Sequence, residues 1–265
     1  MFQEKWVLIT GASSGLGEEF ARQLAARRAN LILAARSRDK LDELARALAA
    51  EHGIETEVIA LDLGEPGGAE KLCAEVDRRG HAVEHLISNA GFGAWGAFTD
   101  GPVERQTGQV RLNCEALVAL THHLLPAMVA RKSGGIVHLA SIAGYQPAPY
   151  MAVYAASKAF VLSFSEAIAE EVRESGVRVM ALCPGPVPTG FQAVAGAGIS
   201  RPQRRAAMSA EECVRRGLRA YEAGRAVYVP GGINRLGTVG VKLLPRGFVV
   251  RAVGRMMKNR EPQPA

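Results

Sequence analysis

The sequence predicts an α/β protein: one domain of three layers, with a doubly wound parallel sheet covered by helices on both faces. Three observations carry this. Short apolar runs alternate with segments of helical period, the pattern of βαβ units rather than of hairpins. A glycine-rich turn, Gly11–Gly17, stands between the first such run and the first helix. Most residues with unusual chemistry fall where strands end, and ligands of parallel sheets bind beyond the carboxyl ends of their strands.

Taken in order, Trp6–Thr10 is the first strand, and Glu18–Arg28 after the turn has helical period. Leu31–Ala35 is the second strand, followed by a charged helix over Asp39–His52. Glu57–Leu61 forms the next strand, with Asp62 at its end, and Ala69–Arg79 the third helix. His85–Ser88 is a short strand running into Asn89-Ala90-Gly91, and Val103–Ala130 reads as one long helical region. Gly135–Ala140 ends at Ser141, and a helix carrying Tyr154 extends to about Glu174. Val177–Leu182 is closed by Pro184-Gly185, and a helix at Ala210–Ala223 with a strand at Ala226–Val229 completes the alternation. No internal repeat or linker interrupts it. Residues 1–232 therefore read as the domain and 233–265 as a basic, amphipathic extension, which Pro245 and Gly247 are expected to divide into two short helices.

Composition narrows the classes. The chain has 265 residues, 48% hydrophobic and 22% charged, as in ordinary globular proteins, and a net charge of +6 too diffuse to indicate nucleic acid. Cys73, Cys114, Cys183 and Cys213 form no CxxC pair, so neither zinc nor a disulfide framework is expected, and a reducing, cytoplasmic setting suits them. The N-terminus has no signal-peptide layout. The uncharged stretches Ser133–Ser157 and Val179–Ser200 are broken by Gly and Pro and do not read as membrane spans. His81 and His85 lack a carboxylate completing a metal motif, and His122 and His123 point apart on a helix, so no metal is expected.

Tyr154 and Lys158 stand four positions apart on a helix, which places a phenol and an ammonium side by side. A free phenol titrates near about 10, and an adjacent cation favours the phenolate, so the pair suits proton transfer. The glycine turn permits a pyrophosphate to approach a helix N-terminus; the alternative is a plain turn capped by Ser13 or Ser14. The second strand ends Ala35-Arg36-Ser37-Arg38 with no acid before Asp39. An acid there takes ribose hydroxyls, whereas an Arg accommodates a 2′-phosphate, so the expected cofactor is NADPH/NADP. The alternative is a solvated basic loop.

Thr10–Gly17 (TGASSGLG), Asn89–Gly91 (NAG), Asn113, Ser141, Tyr154–Lys158 (YAASK) and Pro184–Thr189 (PGPVPT) together resemble the classical short-chain dehydrogenase/reductase family. The resemblance spans about Lys5 to Val229, and Ser141 precedes Tyr154 by thirteen positions, the family's usual separation. Ser88 stands where the family often has an Asn. Arg36 and the end of the chain resemble an NADP-dependent branch containing 3-ketoacyl reductases and hydroxysteroid dehydrogenases.

The resemblance implies a Rossmann-like fold and a set of roles. Tyr154 would donate or accept the substrate proton. Lys158 would lower the tyrosine pKa and hold the nicotinamide ribose, Ser141 would hydrogen-bond the carbonyl oxygen, and Asn113 would support a water chain from Lys158. Gly11, Ser13, Ser14, Gly15, Leu16 and Gly17 would cradle the cofactor phosphates, with Arg36 at the 2′-phosphate. Asp62 and Leu63 would meet the adenine, and Asn89, Ala90 and Gly91 the adenosine-side ribose region. Pro184, Gly185, Val187 and Thr189 would border the carboxamide.

Phe92, Trp95, Tyr145, Tyr150 and Phe191 are expected to form a largely apolar pocket for a hydrophobic carbonyl substrate. The small residues between Thr189 and Met208 suit a mobile lid or a flexible connection, and Arg201, Arg204 and Arg205 suit an acyl-carrier phosphate. The expected function is NADPH-dependent, reversible reduction of a hydrophobic ketone or aldehyde. The alternatives are a non-catalytic NADP-binding sensor or scaffold, and a 3-ketoacyl or lipid reductase at a membrane surface. By resemblance the long helices pair subunits into a homodimer or homotetramer. The tail, with its basic and apolar residues, is expected either at a membrane surface or packed on the domain as a lid or subunit contact.

Overall fold

The computed structural model describes residues 1–196, 198 and 206–258. Arg201, Arg204, Arg205 and Arg260 lie outside the described residues. The strands are β1 (Trp6–Thr10), β2 (Asn30–Ala35), β3 (Thr56–Ala60), β4 (Val83–Ser88), β5 (Gly135–Leu139), β6 (Arg178–Leu182) and β7 (Val227–Tyr228). They form one parallel sheet in the order β3-β2-β1-β4-β5-β6-β7. The winding reverses between β1 and β4, which opens a crevice at their carboxyl ends.

The two faces of the sheet explain its apolar strands. Val7 and Ile9 point to one side, where they join Phe20 and Leu24 of α1 (Gly15–Ala25), Leu41 and Leu48 of α2 (Arg38–His52) and Val214 and Leu218 further along. Leu8, between them, points to the other side with Leu72 and Val76 of α3 (Gly68–Arg79). Alternate residues of one strand are thus buried by different helical layers, as a doubly covered parallel sheet requires.

The long helical region is not uniform. It runs as α4 (Val103–Val110), a π turn at Arg111–Glu115 and α5 (Ala116–Ala130). The extra residue in such a turn re-aims a side chain, here Asn113. The helix α6 (Ala152–Glu171) stops short of Glu174, in a 3₁₀ turn at Arg173–Ser175 that leads to Gly176 at φ +77. By length and composition α6 could cross a membrane, yet Ala155, Lys158, Val161 and Ser165 on it are buried within the protein. The first helix starts three residues earlier than its period suggests, at Gly15, so the glycine turn overlaps its first turn.

After α7 (Phe191–Ala195) and α8 (Ala210–Glu222), the tail forms α9 (Gly232–Leu243) and α10 (Arg246–Lys258). Pro245 lies between these helices as expected. Gly247 does not divide them, because it falls inside the first turn of α10, where a glycine is tolerated.

Candidate functional site

The loops that follow β1 to β6 lie at the carboxyl end of the sheet. The turn after β1 needs its glycines: Gly11 and Gly15 adopt φ +67 and +60, and a Cβ on Gly17 would lie 2.2 Å from the Gly11 carbonyl oxygen. Ser14 precedes α1 in an extended conformation, and its hydroxyl makes no cap hydrogen bond. The capping alternative is therefore not met at Ser14, and the N-terminus of α1 is arranged for an anion.

Asn89 holds this turn together. Its Nδ2 donates to the carbonyl oxygens of Thr10 (2.9 Å) and Gly11 (3.3 Å). The backbone N–H groups of Asn89 and Ala90 both donate to Thr10 Oγ1 at 3.0 Å. The amide expected at the ribose region is thus engaged inside the protein, and its role here is to position the glycine turn. Gly91 is close behind: a Cβ there would meet Asn113 Oδ1 at 2.9 Å and Lys158 Nζ at 3.5 Å.

At the other end of the crevice Arg36 and Asp62 form an ion pair at 3.6 Å, with the Arg36 side chain 75% exposed. Asp62 Oδ1 also accepts from the Gly64 N–H at 2.7 Å, and Leu63 is buried. Arg38, by contrast, pairs with Asp42 along α2 at 3.3 Å and serves the helix surface.

Ser141 follows β5 and precedes a 3₁₀ turn at Ile142–Tyr145, and its Oγ accepts from the Ala143 N–H at 3.1 Å. Tyr154 lies on the first turn of α6, with Lys158 Nζ 5.8 Å from its ring centre. Desolvation pushes the phenol up to about 12, and its hydrogen bond with Ser141 acts in the opposite direction. The net shift is therefore upward, opposite to the lowering expected from the Lys158 pairing. The ammonium is itself buried and donates to the Leu139 carbonyl oxygen at 2.6 Å. Burial lowers its pKa to about 8, against the smaller raising effect of the Cys114 and Cys183 thiols.

Asn113 is carried by the π turn into the protein. Its Nδ2 donates to Phe92 O (3.0 Å) and Ser157 Oγ (2.9 Å), and its Oδ1 accepts from the Phe92 N–H at 3.1 Å. Ser157 Oγ in turn donates to the Tyr154 carbonyl oxygen at 2.8 Å. The expected water chain therefore cannot use the amide hydrogens of Asn113, which couple the loop after β4 to α6.

The loop after β6 carries Pro184, Gly185, Val187 and Thr189, and it is stitched to α7. Gln192 Nε2 donates to Val187 O at 2.8 Å, and the Thr189 N–H donates to Gln192 Oε1 at 3.1 Å. Thr189 also reaches the glycine turn, since a Cβ on Gly15 would lie 3.3 Å from its Cβ. The Phe191 ring stands 5.3 Å from that of Tyr154, and the Trp95 N–H donates to Ala195 O at 2.9 Å. Phe191, at the start of the segment expected as a lid, thus lies beside the tyrosine, while residues 197 and 199–205 of that segment lie outside the described residues.

Of the five expected pocket aromatics, Trp95, Tyr150 and Phe191 gather near Tyr154. Phe92 and Tyr145 do not: Phe92 faces Gly108, and Tyr145 packs against the Val161–Leu162 cluster and under Lys242. The missing wall comes from the tail, for which packing on the domain as a lid was one of the expected alternatives. Val249, Val253 and Met257 of α10 pack with Met151, Ala155, Trp95, Tyr150 and Tyr154, and Trp95 Nε1 donates to Met257 O at 3.1 Å. The amphipathic pattern of the tail was the signal for this.

The model of the short chain dehydrogenase family matches residues 5–215. A very-long-chain 3-oxoacyl-CoA reductase from Phaeosphaeria nodorum is 39% identical over 180 residues, covering 66% of this chain and 52% of the relative. The chain thus spans about half the length of the curated relatives it matches. Among solved structures, a 7beta-hydroxysteroid dehydrogenase superposes with a TM-score of 0.85 at 26% identity, covering 94% of this chain and 96% of the other. A short-chain dehydrogenase from Sphingobium yanoikuyae in complex with NADPH gives 0.81 at 31% identity, covering 98% of both chains.

Proposed function

The chain belongs to the short-chain dehydrogenase family, and from that premise we propose that it is an NADPH-dependent reductase of hydrophobic ketones and aldehydes. The observation that carries this reading is the desolvated phenol of Tyr154, with Lys158 Nζ 5.8 Å from its ring centre, beneath an apolar cover of Phe191, Trp95 and α10.

When bound, NADPH supplies the hydride. The residues present fit it, because Gly11 and Gly15 hold a tight turn at the N-terminus of α1, where the Ser14 hydroxyl makes no cap hydrogen bond, and Arg36 is exposed at the end of β2. Gly11–Gly17 would hold the pyrophosphate, and Arg36, released from Asp62, the 2′-phosphate. Lys158 and the loop from Pro184 to Thr189 would hold the nicotinamide end. Tyr154 donates its proton to the carbonyl oxygen of the substrate, and Ser141 donates a hydrogen bond to the same oxygen. A phenol raised to about 12 stays protonated at neutral pH, the form that donates, which supports the reduction direction. The cation of Lys158 stabilises the phenolate as it forms.

The similarity to long-chain 3-oxoacyl-CoA reductases, together with the apolar cover, supports aliphatic 3-oxoacyl thioesters as the first substrates to test. The four free cysteines suit a reducing cytoplasm. Val110 on α4 and Phe160 on α6 remain exposed, which supports a homodimer or homotetramer formed through these helices. A pure NADP-binding scaffold has no use for Ser141, Tyr154 and Lys158 in one place. The test is NADPH consumption with 3-oxoacyl thioesters of increasing chain length, bulky ketones and steroids. Turnover with at least one class, lost in Tyr154→Phe, supports the reading. Tight NADPH binding without turnover of any of them overturns it in favour of the scaffold.

A further inference from the structure

The helix α9 packs against the usual rule for amphipathic helices. Its buried side chains are polar: Asn234 donates from Nδ2 to Pro230 O (3.1 Å) and Ala206 O (3.2 Å), and buried Thr238 donates to Arg235 O at 2.8 Å. Its large apolar side chains face out. Ile233, Leu236, Val239 and Leu243 are 66%, 74%, 50% and 81% exposed. At the helical repeat these four occupy one arc of about 120°, opposite the buried face. Leu244 and Phe248, 48% and 54% exposed, continue the apolar surface into the start of α10. Four large apolar side chains exposed on one arc of a single helix mark an interaction site rather than scattered exposure.

Charge selects its occupant. From 232 to 258 the ionisable residues are Arg235, Lys242, Arg246, Arg251, Arg255 and Lys258, all cations. A second copy docked by a two-fold axis would bring these cations against themselves. An anionic lipid surface attracts them, while its acyl boundary accepts the aliphatic side chains. We propose that the outer face of α9, with Leu244 and Phe248, docks this protein on an anionic membrane surface. This inference is independent of the catalytic reading. Because α10 packs beside Tyr154 and Trp95, docking brings the apolar wall of the candidate site close to lipid.

The experiment is flotation of the full chain with vesicles of phosphatidylcholine alone or mixed with phosphatidylserine. Binding is expected only to the mixed vesicles, weakening with salt and by about fivefold for each cation among Arg246, Arg251 and Arg255 changed to Gln. The double variant Leu236→Ser, Leu243→Ser should bind at least tenfold more weakly with unchanged Tm and NADPH affinity, since both side chains are exposed in the free protein. Failure of the parent chain to bind mixed vesicles overturns the proposal. So does equal binding by the double variant. If the parent ignores vesicles and the double variant instead lowers its mass in solution, a second copy covers the face.

Discussion

Lys158 Nζ donates to the carbonyl oxygen of Leu139 at 2.6 Å, anchoring the ammonium to the end of β5 while it stays 5.8 Å from the Tyr154 ring centre. The lysine is held by backbone and not by the phenol, so the two side chains have separable functions. Tyr154→Phe is expected to lower kcat for reduction by roughly 100-fold or more, with NADPH affinity nearly unchanged. Lys158→Ala should impair both, since it removes the ammonium and the contact to β5. Single-turnover rates and cofactor titrations decide. A Tyr154→Phe loss below tenfold, ~1.4 kcal/mol, removes Tyr154 from the proton-donor role.

Burial holds Lys158 near about 8, so its charge is present below that pH and lost above it. Tyr154, pushed up to about 12, keeps its proton throughout this range. The reduction rate is therefore expected to fall as pH rises through about 8. A rate that stays flat to about pH 10, near the unperturbed lysine value, contradicts the assignment.

Arg36 sits in a partly exposed ion pair with Asp62, so the 2′-phosphate competes with a weak partner. Charge-assisted hydrogen bonds to phosphate contribute roughly 1.5–3 kcal/mol, which predicts tenfold or greater preference for NADPH over NADH. Arg36→Ala should remove most of that preference, and Asp62→Asn should leave it intact. Calorimetric affinities for both cofactors test this, and equal affinities in the unmodified protein would refute it.

Gly17→Ala and Gly240→Ala make a contrasting pair. A Cβ on Gly17 would stand 2.2 Å from Gly11 O and 2.6 Å from Asn89 Nδ2, whereas one on Gly240 meets nothing within 4 Å. The first is expected to weaken NADPH binding by roughly tenfold or more and to lower Tm. The second, in an open helical position, should leave binding unchanged and raise stability by about 0.5–1 kcal/mol. Similar behaviour of the two variants would show that the glycine turn adjusts freely.

His138 is fully buried, with Nδ1 and Nε2 each 2.9 Å from a hydroxyl, of Ser165 and Thr121. Burial first, and the Lys158 charge second, lower its pKa to about 3, and burial lowers that of His85 to about 4. In the unfolded chain both take up protons near about 6.5, so the unfolded state gains protons that the folded state refuses. Stability should fall as pH drops below about 6.5, by up to ~1.4 kcal/mol per pH unit for each histidine. Urea unfolding between pH 6.5 and 5, above the ordinary carboxylate range, measures the slope. Constant stability there would mean that these imidazoles titrate normally.

Much of the design is local and therefore readable from the chain. The period of apolar residues separates strand from helix, the positive φ values at Gly11 and Gly15 suit glycine, and Tyr154 and Lys158 share a helix face by spacing alone. Boundaries moved by a few residues where capping and tertiary contact compete with period, as at Gly15 and Glu171.

What spacing cannot convey is which partner a polar group finds across the fold. The sequence by itself determined the doubly wound sheet, the family and the residues gathered at its carboxyl end, because periodicity and turn chemistry act between near neighbours. Tertiary structure alone decided that Asn89 ties back to Thr10 and that Lys158 holds Leu139. It also decided that desolvation outweighs the effect of Ser141 at Tyr154, and that α10 closes the apolar wall. Those outcomes depend on burial and on contacts between distant segments, which exist only once the sheet has brought its strand ends together.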